Sequence, residues 1–570
     1  MSEPASARDA ANTVRIERVP GDAGAPVPGD AVTESIPAVA DPVEPAARRE
    51  RRGLRAVPIV VWAAVVLQLT LGLAWTVLQG PYRGLDESNH VVGVLQLTYH
   101  TDWPDPQELH APEAVIGTQK VSTATEPDAR LGAPPPRDQR PSFAAEGGGT
   151  PTPAISQMSQ HPPLYYSMGA LLLRIVPGSD HWNYDRTLGM LRILSAFLLA
   201  PLPLLFWFGM RRFTADRFLP VAAAFVPLLL PGLSRLGGSV SNDALLILLT
   251  TGVGVCVARI VTGDASARTG FAAGVLAGLD LLTKGTALVT PAWLALAYLW
   301  CWRRWRVNAW PAVGAAAIPT LLGLVWWVRN VVKFHVIQPA GDVNTDPVHH
   351  TSAYGHFVTD FFSAISFRFW GSLGNPEPPQ LDRSLMQIAT YVVLALLIVG
   401  LAAPRVPGGV GGTLVGLFGF VGILGIITEG SLAHFRTYDT FSGVQGRYLY
   451  PALLPLAVLA LLGVGVLLRG RLRLLVPVAV AVFAGLFQLS AGLAAFRASW
   501  APVPGAALSD AFHRMVAWAP WPDPVTETGW VVLAVAAAAL VLALVVHLIR
   551  YAREAAPGPV RRGGLHRRPA

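Results

Sequence analysis

Asp86-Glu87-Ser88-Asn89-His90 is the segment best equipped for chemistry. Two adjacent carboxylates beside an apolar bilayer can have their proton affinities pushed apart. One then serves as a general base, the other as a hydrogen-bond acceptor or metal ligand. The competing role is structural: Asp86 caps a helix and Glu87 favours its N-terminal dipole. Adjacency alone does not choose between Asp86 and Glu87 as the base. A second segment is His161-Pro162-Pro163-Leu164-Tyr165-Tyr166. Its prolines fix the backbone ahead of a helix and would hold His161 at the mouth. Tyr165 and Tyr166 could equally belong to an interfacial aromatic belt. In Ser241-Asn242-Asp243, Asp243 could orient a basic partner or cap the next helix, a part that Ser241 or Asn242 could also fill.

The cations form a third set: Lys284, Arg329, Lys333, Arg368 and Arg447. Lys284 lies between two apolar runs, Arg329 ends one in Trp326-Trp327-Val328-Arg329-Asn330, and Arg447 begins one in Gln445-Gly446-Arg447-Tyr448-Leu449. These three fall at the membrane edge where topology does not call for positive charge. Cations kept there suit an anionic ligand such as a phosphate, although each alone could snorkel to head groups. There is no P-loop, no GxGxxG after a strand, no HExxH and no GxSxG. Asp280 is the main acidic residue inside an apolar run, fewer than a proton-coupled carrier usually carries.

The elements that must position these residues are apolar. Of 570 residues only 14% are charged and 52% are hydrophobic, and mean hydropathy is +0.44. A soluble protein carries about 25% charged residues. This chain is therefore expected to be an all-α polytopic membrane protein, not a soluble enzyme or a disordered chain. The net charge is +8, but the arginines flank apolar runs, so it reflects topology and not nucleic-acid binding. Cys256 and Cys301, the only cysteines, lie in or beside apolar runs and offer neither a disulfide framework nor a zinc pattern.

Residues 1–55 read as a disordered cytoplasmic tail that ends in an arginine cluster, and 551–570 as a basic cytoplasmic tail. Between them, over 56–550, about twelve spans are expected: 56–79, 190–210, 218–234, 242–261, 269–283, 285–301, 309–328, 386–403, 410–428, 448–468, 474–495 and 528–549. This division gathers nearly every short-loop arginine on one side, the cytoplasmic one by the positive-inside rule. The large hydrophilic segments then face outward, above all 80–189. There an irregular Pro-rich stretch, 102–163, sits between amphipathic pieces at 87–100 and 164–176.

The ordered set of motifs resembles the DUF2142 family of bacterial membrane proteins: the acidic pair, the long outer loop, His-Pro-Pro-Leu-Tyr-Tyr, Asn-Asp, Leu-Thr-Lys-Gly-Thr-Ala, Trp-Trp-Val-Arg-Asn and Gly-Arg-Tyr-Leu-Tyr-Pro. The resemblance covers roughly residues 56–468. That family looks like a branch of the GT-C glycosyltransferases, which include protein mannosyltransferases and the aminoarabinose transferases of lipid A. The resemblance implies a GT-C-like fold with a large first extracytoplasmic loop in the plasma membrane. It also implies transfer of a sugar, with inversion, from a polyprenyl-phosphate donor to a glycan, lipid or protein acceptor of the cell envelope. Carried over, Asp86 or Glu87 becomes the catalytic base. Lys284, Arg329 or Arg447 contacts the donor phosphate, and His161 lines the acceptor side. His90, Tyr165 and Asp243 complete the candidate substrate-binding set. A divalent metal could assist, as in some GT-C relatives, although no dedicated cluster is present. The alternatives are a secondary transporter or flippase, which would show paired broken helices and mid-membrane polar groups, and a non-catalytic assembly protein.

Overall fold

The computed structural model describes residues 54–122, 134–339, 354–371, 382–403, 406–438, 443–501, 503 and 505–554. Nearly all of the two tails expected at 1–55 and 551–570 lies outside the described residues. The rest is an all-α polytopic membrane protein. Among the described residues ten helices are long and apolar enough to cross a bilayer. The first, Ile59–Leu78, has no charged residue in twenty, which at 1.5 Å per residue spans about 30 Å.

Two of the expected spans form shorter helices. Segment 218–234 becomes Leu219–Leu229 and Pro231–Gly237, broken at Leu230. Pro231 supplies no N–H to the preceding turn and forces Leu230 into an extended conformation. Segment 269–283 becomes Ala267–Leu281, fifteen residues long. Gly270, Gly274 and Gly278 run along one face of that helix, where any Cβ would collide with the backbone of helix Trp310–Phe334. This is the small-residue seam by which helices associate in lipid.

The loop after the first span is more ordered than its prolines suggest. Within 102–163, expected to be irregular, strands His110–Pro112 and Pro151–Ile155 pair antiparallel, His110 opposite Ile155, and Glu113–Val121 is helical. The two expected amphipathic helices form as Glu87–Tyr99 and Leu164–Ile175. They pack on each other through Val91, Val94, Leu95, Tyr165, Tyr166 and Leu173. The stripe expected to be apolar on the second helix, Leu164, Met168, Leu171 and Leu172, stays partly or fully exposed. That helix thus carries apolar residues on both faces, one packed on its neighbour and one left exposed.

Arg137 and Arg140 tie this loop to the far end of the chain. Arg140 pairs with Asp185 and donates to the carbonyls of Ala517 and Trp518, at the end of helix Leu508–Trp518. Arg137 donates to the carbonyls of Val516 and Ala519 and pairs with Asp523. On the opposite side of the bundle, Arg473 pairs with Asp216, Arg259 pairs with Asp264, and Arg212 donates to Thr262. Cys256 and Cys301 are free, buried thiols.

Candidate functional site

The site lies where spans end and the loop folds over them. Asp86 precedes helix Glu87–Tyr99 with left-handed backbone angles, φ 54° and ψ 20°. It occupies the capping position but makes no side-chain cap bond, so its carboxylate is free for other partners. Asp243 reaches the same place from the first turn of Asn242–Val261. Ser241 takes the capping role there, its hydroxyl accepting from the Asp243 N–H at 3.2 Å. Lys284 sits in the break between helix Ala267–Leu281 and the turn Gly285–Leu288. Arg447 opens the turn Gly446–Ala452 ahead of helix Leu453–Leu467. Its neighbour Gly446 must lack a side chain, because a Cβ there would collide with the backbone of Arg368 and Phe369.

These four charges form one chain. Arg447 Nη2 donates to Asp86 Oδ2, and Arg447 Nε lies 3.3 Å from Asp243 Oδ2. Lys284 Nζ donates to Asp243 Oδ1 at 2.6 Å. The Arg447–Asp243 approach lacks hydrogen-bond alignment, so Nε and Oδ2 are both buried without a bond. Asn242 Oδ1 and His161 Nδ1 are buried and unsatisfied as well. Lys284 and Arg447 both lie over the ring of Tyr448, at 4.5 and 5.3 Å from its centroid. The Asp86 side chain keeps 35% of its surface exposed, whereas Arg447 keeps 2%.

His90 and His161 lie beside these charges. His90 Nδ1 is 3.1 Å from the Tyr166 hydroxyl, and Trp103 Nε1 donates to the His161 carbonyl at 3.1 Å. Burial pushes His90 down to about 4, against the pull of Asp86 and Asp243. Burial likewise holds His161 well below its ordinary value, and Lys284 adds to the effect. Both are neutral imidazoles at physiological pH, able to accept or donate one hydrogen bond without adding charge. Burial alone would raise the Asp86 carboxyl. Arg447, His90 and Lys284 outweigh it, so Asp86 titrates below the ordinary carboxylate value.

Glu87 faces the other way. Arg192 grips it with two bonds, Nε to Oε1 at 2.8 Å and Nη2 to Oε2 at 2.6 Å, and the Val240 N–H adds a third at 3.0 Å. Its side chain has no exposed surface. Arg192 also donates to the carbonyls of Thr76, Gln79 and Gly80, so the pair staples the end of the first span to the loop. Tyr165 is structural in a similar sense. Its hydroxyl lies 2.9 Å from Ser195 Oγ and accepts from the N–H of Ser241, the residue that caps the Asp243 helix. Arg329 stands apart from the chain of charges: with Lys333 it pairs with Asp105 of the loop.

The sequence-predicted residues Asp86, His90, His161, Asp243, Lys284 and Arg447 therefore come together, while Glu87, Tyr165 and Arg329 are engaged elsewhere. Sequence reasoning passed over Arg192, whose signal was a cation inside an expected span; it quoted Tyr166 and Tyr448 within motifs but placed neither among the site residues. Among the described residues no group of three or more His, Cys, Asp or Glu is placed to hold a metal ion. Both carboxylates of the cluster are paired with Lys284 and Arg447.

The fold is similar to two solved structures of ArnT from Cupriavidus metallidurans. The form bound to undecaprenyl phosphate is 14% identical with a TM-score of 0.42, over 86% of this chain and 76% of that chain. The apo form is 16% identical with a TM-score of 0.38, over 80% and 74%. A search of the curated proteins gives no match. The family model described as predicted membrane protein (DUF2142) matches residues 69–457, more than half of the sequence, and the chain belongs to that family.

Proposed function

We propose that this chain is a membrane glycosyltransferase of the GT-C type. It would move a sugar from a polyprenyl-phosphate donor to a hydroxyl of a cell-envelope acceptor, with Asp86 as the base. The observation that carries this reading is the difference between the adjacent acids. Glu87 is wholly buried in the fork of Arg192, while Asp86 is partly exposed beside two cations. An ionised, accessible carboxylate next to cations is what acceptor activation beside a phosphate leaving group requires.

In this mechanism the acceptor hydroxyl gives its proton to Asp86 as its oxygen attacks the anomeric carbon. The bond from that carbon to the phosphate oxygen breaks, and its electron pair leaves with the polyprenyl phosphate. Arg447 and Lys284, aligned by Asp243, stabilise the charge that develops there. Inversion follows from attack on the face opposite the leaving group. His90 and His161, neutral and buried, suit uncharged sugar or acceptor hydroxyls. The arginines at the far ends of the spans would be cytoplasmic by the positive-inside rule, which puts this site and the first loop outside, with both termini in the cytoplasm. The cluster lies at helix ends and not at mid-membrane, which favours a transferase over a carrier.

The test is sugar transfer from a polyprenyl-phosphate donor in proteoliposomes. Asp86→Asn is expected to lower the rate by about 10²–10⁴-fold, the usual contribution of a general base. Glu87→Gln is expected to retain transfer per folded molecule. Full activity in Asp86→Asn overturns the assignment.

A further inference from the structure

A larger feature lies outside the charge cluster. A cavity of about 620 Å³ opens between the first span, helix Leu475–Trp500 and helix Asp523–Glu554, under the amphipathic helix Leu508–Trp518. Among the described residues its wall holds no charged side chain and one amide, Gln488. Leu489 lines it and is 71% exposed, so the cavity communicates with the surroundings of the bundle. Left empty, so large a void would forfeit dispersion contacts along every wall. Water would find too few polar partners to fill it. Such a wall suits a hydrocarbon chain.

The ends of the cavity say what the chain is attached to. On helix Leu475–Trp500 the lining residues come in pairs four apart, 484 and 485, 488 and 489, 492 and 493, and the next pair is Phe496 and Arg497. Phe496 still lines the wall, and Arg497 is exposed at the rim. From Gly485 to Arg497 the helix rises roughly 18 Å, close to one leaflet of a bilayer whose hydrocarbon core is about 30 Å thick. On the facing helix, exposed Glu527 lies one turn before Trp530, another lining residue. The rim thus carries one charge of each sign.

We propose that this cavity binds a zwitterionic glycerophospholipid, with an acyl chain inside, its phosphate at Arg497 and its ammonium at Glu527. The site is separate from the Asp86 cluster but borders the Arg192–Glu87 staple next to it. Trp75 and Leu78 face the lipid, while the carbonyls of Thr76 and Gln79, on the same helix end, accept from Arg192. The bound chain braces the segment that delivers Asp86.

The experiment is lipid retention by the purified full chain, read by native mass spectrometry after exchange into nanodiscs of phosphatidylethanolamine or phosphatidylglycerol. It needs no transferase activity, so its outcome is independent of the proposed reaction. Gly485→Phe with Gly492→Leu obstructs the cavity with little strain, because a Cβ at Gly485 meets nothing within 4 Å and one at Gly492 meets only a Leu78 methyl at 3.8 Å. The wild type is expected to retain phosphatidylethanolamine in preference to phosphatidylglycerol. The obstructed variant is expected to lose most of it while melting no lower than the wild type. Arg497→Glu, an exposed position, repeats the test without touching the packing and should weaken retention about tenfold, the scale of one charged hydrogen bond. Unchanged retention in either variant, equal retention of the two lipids, or a wild type free of lipid overturns the proposal.

Discussion

Asp86 and Glu87 are chemically near-identical neighbours, and their surroundings give them opposite tasks. The carboxyl of Asp86 is held low mainly because Arg447 overcomes burial. A folded-state value below the ordinary one means the proposed base is already ionised across the neutral range. Its acid limb in kcat/KM should therefore lie below the ordinary carboxylate range. Removing Arg447's charge leaves burial opposed only by His90 and Lys284, so in Arg447→Gln the limb should move to higher pH, whereas Arg447→Lys should leave it nearly in place. A pH profile of residual transfer checks this. An unmoved limb in Arg447→Gln would show that Asp86 is not the titrating base. The Glu87 pair makes a stability claim instead. Arg192→Leu would strand a fully buried carboxylate, which typically costs about 3–5 kcal/mol. A clear drop in melting temperature in detergent is the expected result.

At the scale of elements, the site is assembled from starts and breaks of helices. Ser241 caps Asn242–Val261 and so releases Asp243, the interruption after Leu281 exposes Lys284, and the turn before Leu453–Leu467 presents Arg447. These devices were legible in part. Ser-Asn-Asp announces a cap, and the Gly446-Arg447 step announces a turn, but neither says which side chain is left over. Arg192 was not legible as Glu87's partner, because the two are 105 positions apart and burial, not spacing, joins them. Arg329 misled for the complementary reason: it is at the expected edge, but Asp105, from a stretch read as irregular, claims it. The Gly446 step is testable at this scale. Gly446→Val should push Arg447 away from Asp86 and Asp243, with transfer lost far more than helical content. Circular dichroism and the transfer assay together separate the two. Wild-type transfer would mean that the close approach to Arg368 and Phe369 is dispensable.

At the scale of the whole molecule, low charge content both identified a membrane protein and made the few charges at one end of its spans conspicuous. Most arginines lie at the other ends of the spans, where Arg473, Arg259 and Arg212 find partners. The cluster of Asp86, Asp243, Lys284 and Arg447 sits where that bias predicts few cations. The proposed orientation follows from this asymmetry, and the chain carries a convenient means of testing it. Both native cysteines are buried, so they should stay silent toward thiol reagents. Glu108 is exposed in the first loop, and Arg471 is exposed between two spans at the opposite end. In intact cells a membrane-impermeant maleimide should label Glu108→Cys, and label Arg471→Cys only after the membrane is breached. The reverse pattern would place the cluster in the cytoplasm, where a polyprenyl-linked donor would have to be met on the other leaflet. Labelling at both positions in sealed cells would instead mean that the division of charge between the two ends does not set the topology of this chain.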